Sequence, residues 1–379
     1  MVTAWIGQFC IVGAALGCVH IVTACALVLW FARRPTNSSA AAAPPITVLK
    51  PLCGAEPRLF ERLASFCAQD YSAPVQIVLG TQDRGDPVIE AVDRLKAKFS
   101  EKRIVLQEDP HQHGSNRKVS NLVNMLPLAQ HDVLVVADSD IEVGPNYLSV
   151  LAGELQQRSV GAVTCLYHGI AGAGLWSKLS AMAINSHFLP EVVTALKFRL
   201  ANPCFGATIA MRRETLNEIG GFASFAACLA DDYAIGQAVR SCGYAVAIPS
   251  CSVGHVCFEE ALRPLLAQQI RFARTIRSID PIGYAGSILT HPFALALLAA
   301  LMNIPGALLV AAVALGCRAV LCACVARAFH LDRQPYWLIP LLELMLFAIY
   351  LSGLFGASVS WRGDRYRVAR NGTVVQIEK

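Results

Sequence analysis

Asp132-Val-Leu-Val-Val-Ala-Asp-Ser-Asp140 is the stretch on which the fold turns. The apolar run has strand length, is rich in β-branched valine, and ends on short polar residues, so it reads as a buried strand. The alternation of side chains then sends Asp138 and Asp140 to one face. Two unpaired carboxylates that close repel unless a cation lies between them, and a hard divalent ion shared by both can also bind phosphate oxygens. The competing reading is a pair of carboxylates that cap a turn.

Working outward, Ile46–Leu52, Val75–Thr81 and Arg103–Gln107 also read as strands, separated by helical patterns over Glu56–Ala68 and Pro87–Phe99. Strands alternating with helices of this length predict βαβ units in a largely parallel sheet. Such sheets bind ligands at the carboxyl ends of their strands. Asp83 follows Val75–Thr81 closely, and Asp231-Asp232 opens a helical run after the Gly220-Gly221 turn. Arg117 and Lys118 fall near the same edge, where a cation can meet a diphosphate as a point charge. His111 and His113 lack further ligands at sensible spacing and read as loop residues.

The 379 residues are 55% hydrophobic and only 16% charged, which excludes disorder and a simple cytosolic enzyme. The apolar excess lies at the two ends. Residues 4–31 carry no Lys, Arg, Asp or Glu; Ile282–Val325 has Arg318 as its one formal charge; and Tyr336–Val359 is broken only by Glu343. Each block is long enough to span a bilayer. Arg33 and Arg34 follow the first, which places the middle domain on the cytoplasmic side, and no basic residue precedes it as a cleavable signal requires. The net charge of +5 is too small to suggest nucleic acid as a partner. Fourteen cysteines without a CxxC pair fit a reducing compartment, and the sequons at Asn37 and Asn371 then carry no sugar. The expected organisation is a transmembrane helix over 1–34, a linker over 35–45, an α/β domain over 46–257, an interfacial helix over 258–281, membrane helices over 282–360 and a basic tail over 361–379.

Pro51-Leu-Cys-Gly54, Gln69-Asp-Tyr71, Asp83, Lys118, Asp138-Ser-Asp140, Asp231-Asp232-Tyr233 and Gln268-Gln-Ile-Arg271 occur in an order that resembles the ceramide glucosyltransferase family. The bacterial hopanoid-biosynthesis-associated glycosyltransferases are the branch they resemble most. The resemblance implies a GT-A fold with an N-terminal membrane anchor and C-terminal transmembrane or re-entrant helices. It implies a UDP-sugar donor and a divalent metal, Mg2+ or Mn2+, on Asp138 and Asp140. Pro51, Gly54, Asp83, Lys118 and Asp138 take donor-binding roles, with Asp83 on the nucleoside. Asp232 matches the catalytic base, Gln268 and Arg271 the Gln/Arg-x-x-Arg-Trp motif, and His187 and Phe272 fall on the acceptor side. Phe272 replaces the motif's Trp, and the acidic pair is Asp-Asp where Glu-Asp is commoner.

A single base opposite a metal-bound leaving group suits direct displacement with inversion. The expected acceptor is a membrane lipid hydroxyl, first a hopanoid polyol receiving N-acetylglucosamine, second a ceramide receiving glucose. The expected location is a bacterial inner membrane, crossed several times, with the catalytic domain cytoplasmic. A processive polysaccharide synthase and a non-catalytic lipid-binding scaffold are the alternatives. Gly174–Phe198 and Phe258–Asp280 are amphipathic and suit a membrane interface or, for the first, an ordinary core face. Three C-terminal spans place the tail outside, whereas its arginines prefer the inside; either one apolar pair is a re-entrant hairpin, or the tail breaks the rule.

Overall fold

The computed structural model describes residues 2–36, 43–54 and 56–356, and the backbone of 358–361, 364–368 and 374–376. Both sequons, most of the expected linker and the side chains of the basic tail lie outside the described residues. The chain opens with helix α1 (Val2–Ala32) and then builds an α/β unit. Its first part runs β1 (Ile46–Pro51), α2 (Leu59–Cys67), β2 (Val75–Thr81), α3 (Val88–Lys98), β3 (Arg103–Glu108), α4 (Arg117–Met125) and β4 (Val133–Val136). These strands pair in parallel, with Val48 opposite both Ile77 and Val135. Alternation along β1 feeds two cores. Val48 packs with Leu63, Phe66 and Leu95 on one face, and Leu49 with Val119, Leu122 and Leu134 on the other.

The second part is less regular. After β5 (Ile141–Glu142) and α5 (Tyr147–Leu155) come β6 (Val160–Thr164), β7 (Leu166–Ala171), α6 (Leu175–Ala183), a π-helical turn (Ile184–Phe188) and α7 (Leu189–Lys197). Then follow β8 (Ile209–Arg212), α8 (Arg213–Glu218), α9 (Asp231–Ser241), β9 (Ala245–Ala247) and β10 (Ser252–Cys257). The main sheet has the order β3-β2-β1-β4-β8-β6-β9. Parallel pairing therefore holds for only part of it: β8 runs antiparallel to both β4 and β6. The chain reaches β8 through β7, α6 and α7 and not through the single-helix crossover of a βαβ unit. A small second sheet, β5-β10-β7, sits beside the Asp138–Asp140 turn.

Helix α10 (Leu262–Ile279) leads to α11 (Pro281–Gly286), α12 (Pro292–Leu301), α13 (Ala307–Ala328) and α14 (Ile339–Leu354). Among the described residues, Thr3–Ala32, Ala307–Ala328 and Tyr336–Leu354 are long and apolar enough to cross a membrane. The first of the three expected C-terminal spans is broken: Pro281–Thr290 and Pro292–Leu301 meet at 68°. Small residues let α1 close on α12, as at Gly17, where an added Cβ would lie 2.9 Å from the Pro292 side chain. Arg277 on α10 donates to the Leu354 carbonyl at 2.5 Å and to that of Gly356. The C-terminal end of α14 thus lies against the helix that leaves the α/β domain, and the antiparallel strands β11 (Ser358–Trp361), β12 (Asp364–Val368) and β13 (Val374–Gln376) follow there.

Between Gly174 and Phe198 the chain forms a bridging layer whose central apolar residues pack inside the protein, while Leu175 and Phe198 at its two ends stay exposed. Leu179 and Met182 join Leu265 and Leu342, while Leu189 and Val193 join Ile21, Phe31 and Leu321. Arg318 and Glu343 are both buried among the membrane helices, with Nε to Oε1 at 2.8 Å. An ionisable group at that depth needs a partner, and this pair supplies it.

Candidate active site

Three elements converge on Gly206, in the loop before β8. The turn after β4 carries Asp138 and Asp140, α4 carries Lys118, and the first turn of α9 carries Asp231 and Asp232. Asn116 caps α4, accepting from the Val119 amide at 3.1 Å, and its amide nitrogen donates to Asp231 at 3.1 Å. That bond ties the starts of α4 and α9 together. Lys118 Nζ lies 2.7 Å from Asp138 Oδ1 and 3.5 Å from Asp231 Oδ2. A Cβ on Gly206 would meet Lys118 Nζ at 2.9 Å, Asp138 Oδ2 at 3.3 Å and Asp232 Oδ2 at 3.5 Å. Only glycine leaves that point open.

Charge at the site is arranged unequally. Burial raises the Asp232 carboxyl to about 6, with Asp231 adding to the rise and Lys118 opposing it. Its oxygens accept from the Gly206 amide at 2.9 Å and the Tyr233 amide at 2.7 Å, which fixes their direction. Burial also raises Asp138, against Lys118. Asp140 is held below the usual carboxylate range: burial disfavours its charge, but His255 at 3.5 Å, Lys50 and Arg62 outweigh that. Lys118 is penalised by burial, yet Asp138, Asp231 and Asp232 around it raise its pKa, so it stays charged.

The Asp138–Asp140 turn rests on two fully buried basic side chains. Lys50 Nζ donates to the Asp138 carbonyl at 2.7 Å and sits 3.9 Å over the Phe66 ring. Arg62 Nε donates to the Ser139 carbonyl at 2.9 Å, and its guanidinium pairs with Glu56 at 2.7 Å. These bonds hold the turn through its backbone and leave both carboxylates to other partners. Asp140 Oδ1 is buried without a hydrogen-bond partner. Such an orphaned hard oxygen beside Asp138 fits a divalent cation. Among the described residues no three His, Cys, Asp or Glu side chains form a ready metal cage.

The remaining expected residues divide. Pro51 ends β1, and Gly54, at φ +77°, donates its amide to Asp86 at 3.0 Å; both lie at the carboxyl edge between β2 and β4. Asp83 shares that edge, is exposed, and accepts from the Gly85 amide at 2.9 Å. Gln268 and Arg271 stand one turn apart on α10, which packs on α14 and α6, and Phe272 is 42% exposed. His187 is buried, with Nε2 2.7 Å from Glu343 and its ring stacked on His291. It faces the membrane helices, so packing there accounts for it. The neighbouring Phe188 stacks instead on Tyr167, at 4.5 Å between ring centres.

Tyr167, His255, Lys50, Arg62 and Gly206 were not singled out by the sequence patterns. Burial raises the Tyr167 hydroxyl, and Asp232 and Asp140 raise it further. Its ring also meets His255 at 5.7 Å and Phe205 at 5.9 Å. Lys50 carried a readable signal, a charge inside an apolar strand; the others depend on long-range pairing.

Comparison with known proteins gives a consistent reading. Relatives include a ceramide glucosyltransferase of Gibberella zeae, 29% identical over 177 residues, covering 42% of this chain and 34% of that one. Ceramide glucosyltransferase 1 of Caenorhabditis elegans is 25% identical over 209 residues, covering 54% and 44%. The chain thus spans less than half the length of these relatives. Among solved structures, a mannosyltransferase from Pyrobaculum calidifontis in complex with GDP-mannose and Mn2+ matches with a TM-score of 0.50 at 23% identity, over 93% of this chain and 99% of that one. Its likeness, with the doubly covered sheet, identifies a GT-A-like glycosyltransferase fold. The family model for glycosyl transferase family 21 matches residues 10–374, nearly the full length, and the chain belongs to that family.

Proposed function

We propose that this protein is a membrane-bound inverting glycosyltransferase that moves one sugar from a UDP-sugar to a hydroxyl of a membrane lipid. The observation that carries it is the meeting of Lys118, Asp138 and Asp232 around the open point at Gly206, at the carboxyl edge of the sheet. Asp83, Pro51 and Gly54 line the nucleoside end, and Lys118 meets the diphosphate. Asp138 and Asp140 would hold a divalent ion, Mg2+ or Mn2+, which when bound stabilises negative charge on the departing diphosphate. The solved relative bound to Mn2+ supports that choice.

Asp232 takes the proton of the attacking hydroxyl. A pKa near 6 leaves the carboxylate mostly ionised at neutral pH and basic enough to accept that proton. The amides of Gly206 and Tyr233 hold its oxygens while the hydroxyl attacks the anomeric carbon from the side opposite the diphosphate. Gln268 and Arg271 act from α10, and Phe272 lines the acceptor side. The first acceptor reading is a hopanoid polyol with N-acetylglucosamine; glucose on ceramide is the second, and the ceramide glucosyltransferase relatives favour it.

The test is UDP release and product analysis with purified protein, each donor and each lipid. A lipid carrying one sugar of inverted configuration supports the proposal. A polymer supports a processive synthase, retained configuration removes the single-base mechanism, and no turnover with an intact fold leaves the scaffold reading.

A further inference from the structure

Beyond the cleft, an exposed run of alternating cationic and apolar residues stands out. Lys197, Phe198, Arg199 and Leu200 are all exposed at the end of α7, with Phe198 at 55% and Leu200 at 72%. They adjoin the domain end of α1. Lys197 Nζ lies 4.1 Å over the Trp30 ring, and Arg34 covers Trp30 and Phe31 from 5.7 and 5.2 Å. Trp30 itself is 43% exposed near the end of the Thr3–Ala32 span. A half-exposed Trp flanked by cations at a span's end is the composition of a membrane–water interface. Arg199 takes φ +56°, turning the chain so that Phe198 and Leu200 both stay outside the fold.

We infer that Trp30, Arg34 and the run Lys197–Leu200 form a headgroup anchor that docks this edge of the domain onto an anionic lipid surface. Continuity with the α1 span selects the bilayer as the occupant, because the patch begins where that span ends. Charge selects anionic headgroups, since three cations and no carboxylate belong to the patch. The anchor continues through Pro203 and Cys204 to Phe205 and Gly206, so it sets the height of the cleft above the lipid. On the lipid-acceptor reading proposed above, this edge is where the acceptor's hydroxyl enters.

The test places p-benzoylphenylalanine at position 200 of the full chain, or at Ala97 on exposed α3 as the control, in vesicles of equimolar phosphatidylcholine and phosphatidylglycerol. Irradiation should give a phospholipid adduct at 200 and none at 97. No adduct at 200, or equal adducts at both, overturns the anchor whatever the enzyme's substrate. With an active preparation, F198S/L200S should raise the lipid-acceptor KM about tenfold with the donor KM unchanged. K197Q/R199Q should abolish any gain from phosphatidylglycerol over phosphatidylcholine alone. A donor KM that rises in parallel overturns the entry role, and a gain that persists overturns the selection of anionic headgroups, while an adduct at 200 still supports docking.

Discussion

The ionisation of Asp232 is the most exposed point of the proposed chemistry, because two neighbours pull it in opposite directions. Burial and Asp231 raise its carboxyl to about 6, and Lys118 restrains the rise. A charge at this range shifts a carboxyl by about 1–3 units, each worth about 1.4 kcal/mol. Taking one unit, Asp231→Asn should bring the acid limb of kcat/KM down to about 5, and Lys118→Met should lift it to about 7. At pH 6 the base would then be about 90% ionised in the first variant, about 10% in the second and half in the parent. The assay is UDP release across the pH range with donor saturating and acceptor limiting. Lys118→Met also weakens diphosphate contact, so the limb's position is read, not its height. Limbs that move the same way, or stay at the parent value in both variants, refute Asp232 as the titrating base.

Asp232→Asn should abolish turnover yet leave donor binding nearly intact. Its raised pKa means the folded state binds more proton than the unfolded chain between about 4 and 6, so stability falls as pH rises through that window and stays lower above it. The Asn variant should therefore melt no lower than the parent at neutral pH, as calorimetry in detergent would show. Gly206→Ala should cut kcat at least tenfold, since its Cβ would press on Lys118 at 2.9 Å and fill the reacting point; unchanged kinetics would move that point elsewhere. Lys50→Met should cost about 1–3 kcal/mol, because the Asp138 and Ile141 carbonyls lose their buried donor; denaturant titration measures it. Chelation with EDTA should raise the donor KM far more than the acceptor KM, reversibly with Mn2+.

The residues that chain-local patterns expose are those at the ends of regular elements. Asp138 and Asp140 follow a valine-rich strand, and Asp231 and Asp232 open a helix, so periodicity alone put them at an edge. The strand Val75–Thr81 and its neighbours appear almost at the boundaries that alternation sets. What was hidden depends on the β7–β10 pairing, which joins residues more than eighty positions apart, such as Tyr167 with Val253. That pairing carries Tyr167 and His255 to the cleft, and no local pattern encodes it. The antiparallel β8 was hidden for the same reason. His187 falls on the acceptor side by resemblance alone; the π-helical turn packs it against Glu343, and Phe188 beside it stacks on Tyr167.

That turn makes the membrane bundle and the cleft mechanically one object. The Ser186 carbonyl accepts from Arg318 at 2.7 Å, His187 meets Glu343, and Phe188 stacks on Tyr167. Three successive residues thus touch α13, α14 and the Tyr167 ring of β7. Glu343→Leu should leave the Arg318 guanidinium buried without its counter-ion, costing about 3–5 kcal/mol, whereas R318M/E343L removes both charges and should recover most of that loss. Because the turn is shared, the single variant should also lower kcat before it unfolds the domain, and the double variant should restore kcat along with stability. A double variant as stable as the parent but still slow would separate the two, and would assign Arg318 or Glu343 a direct part in handling the acceptor.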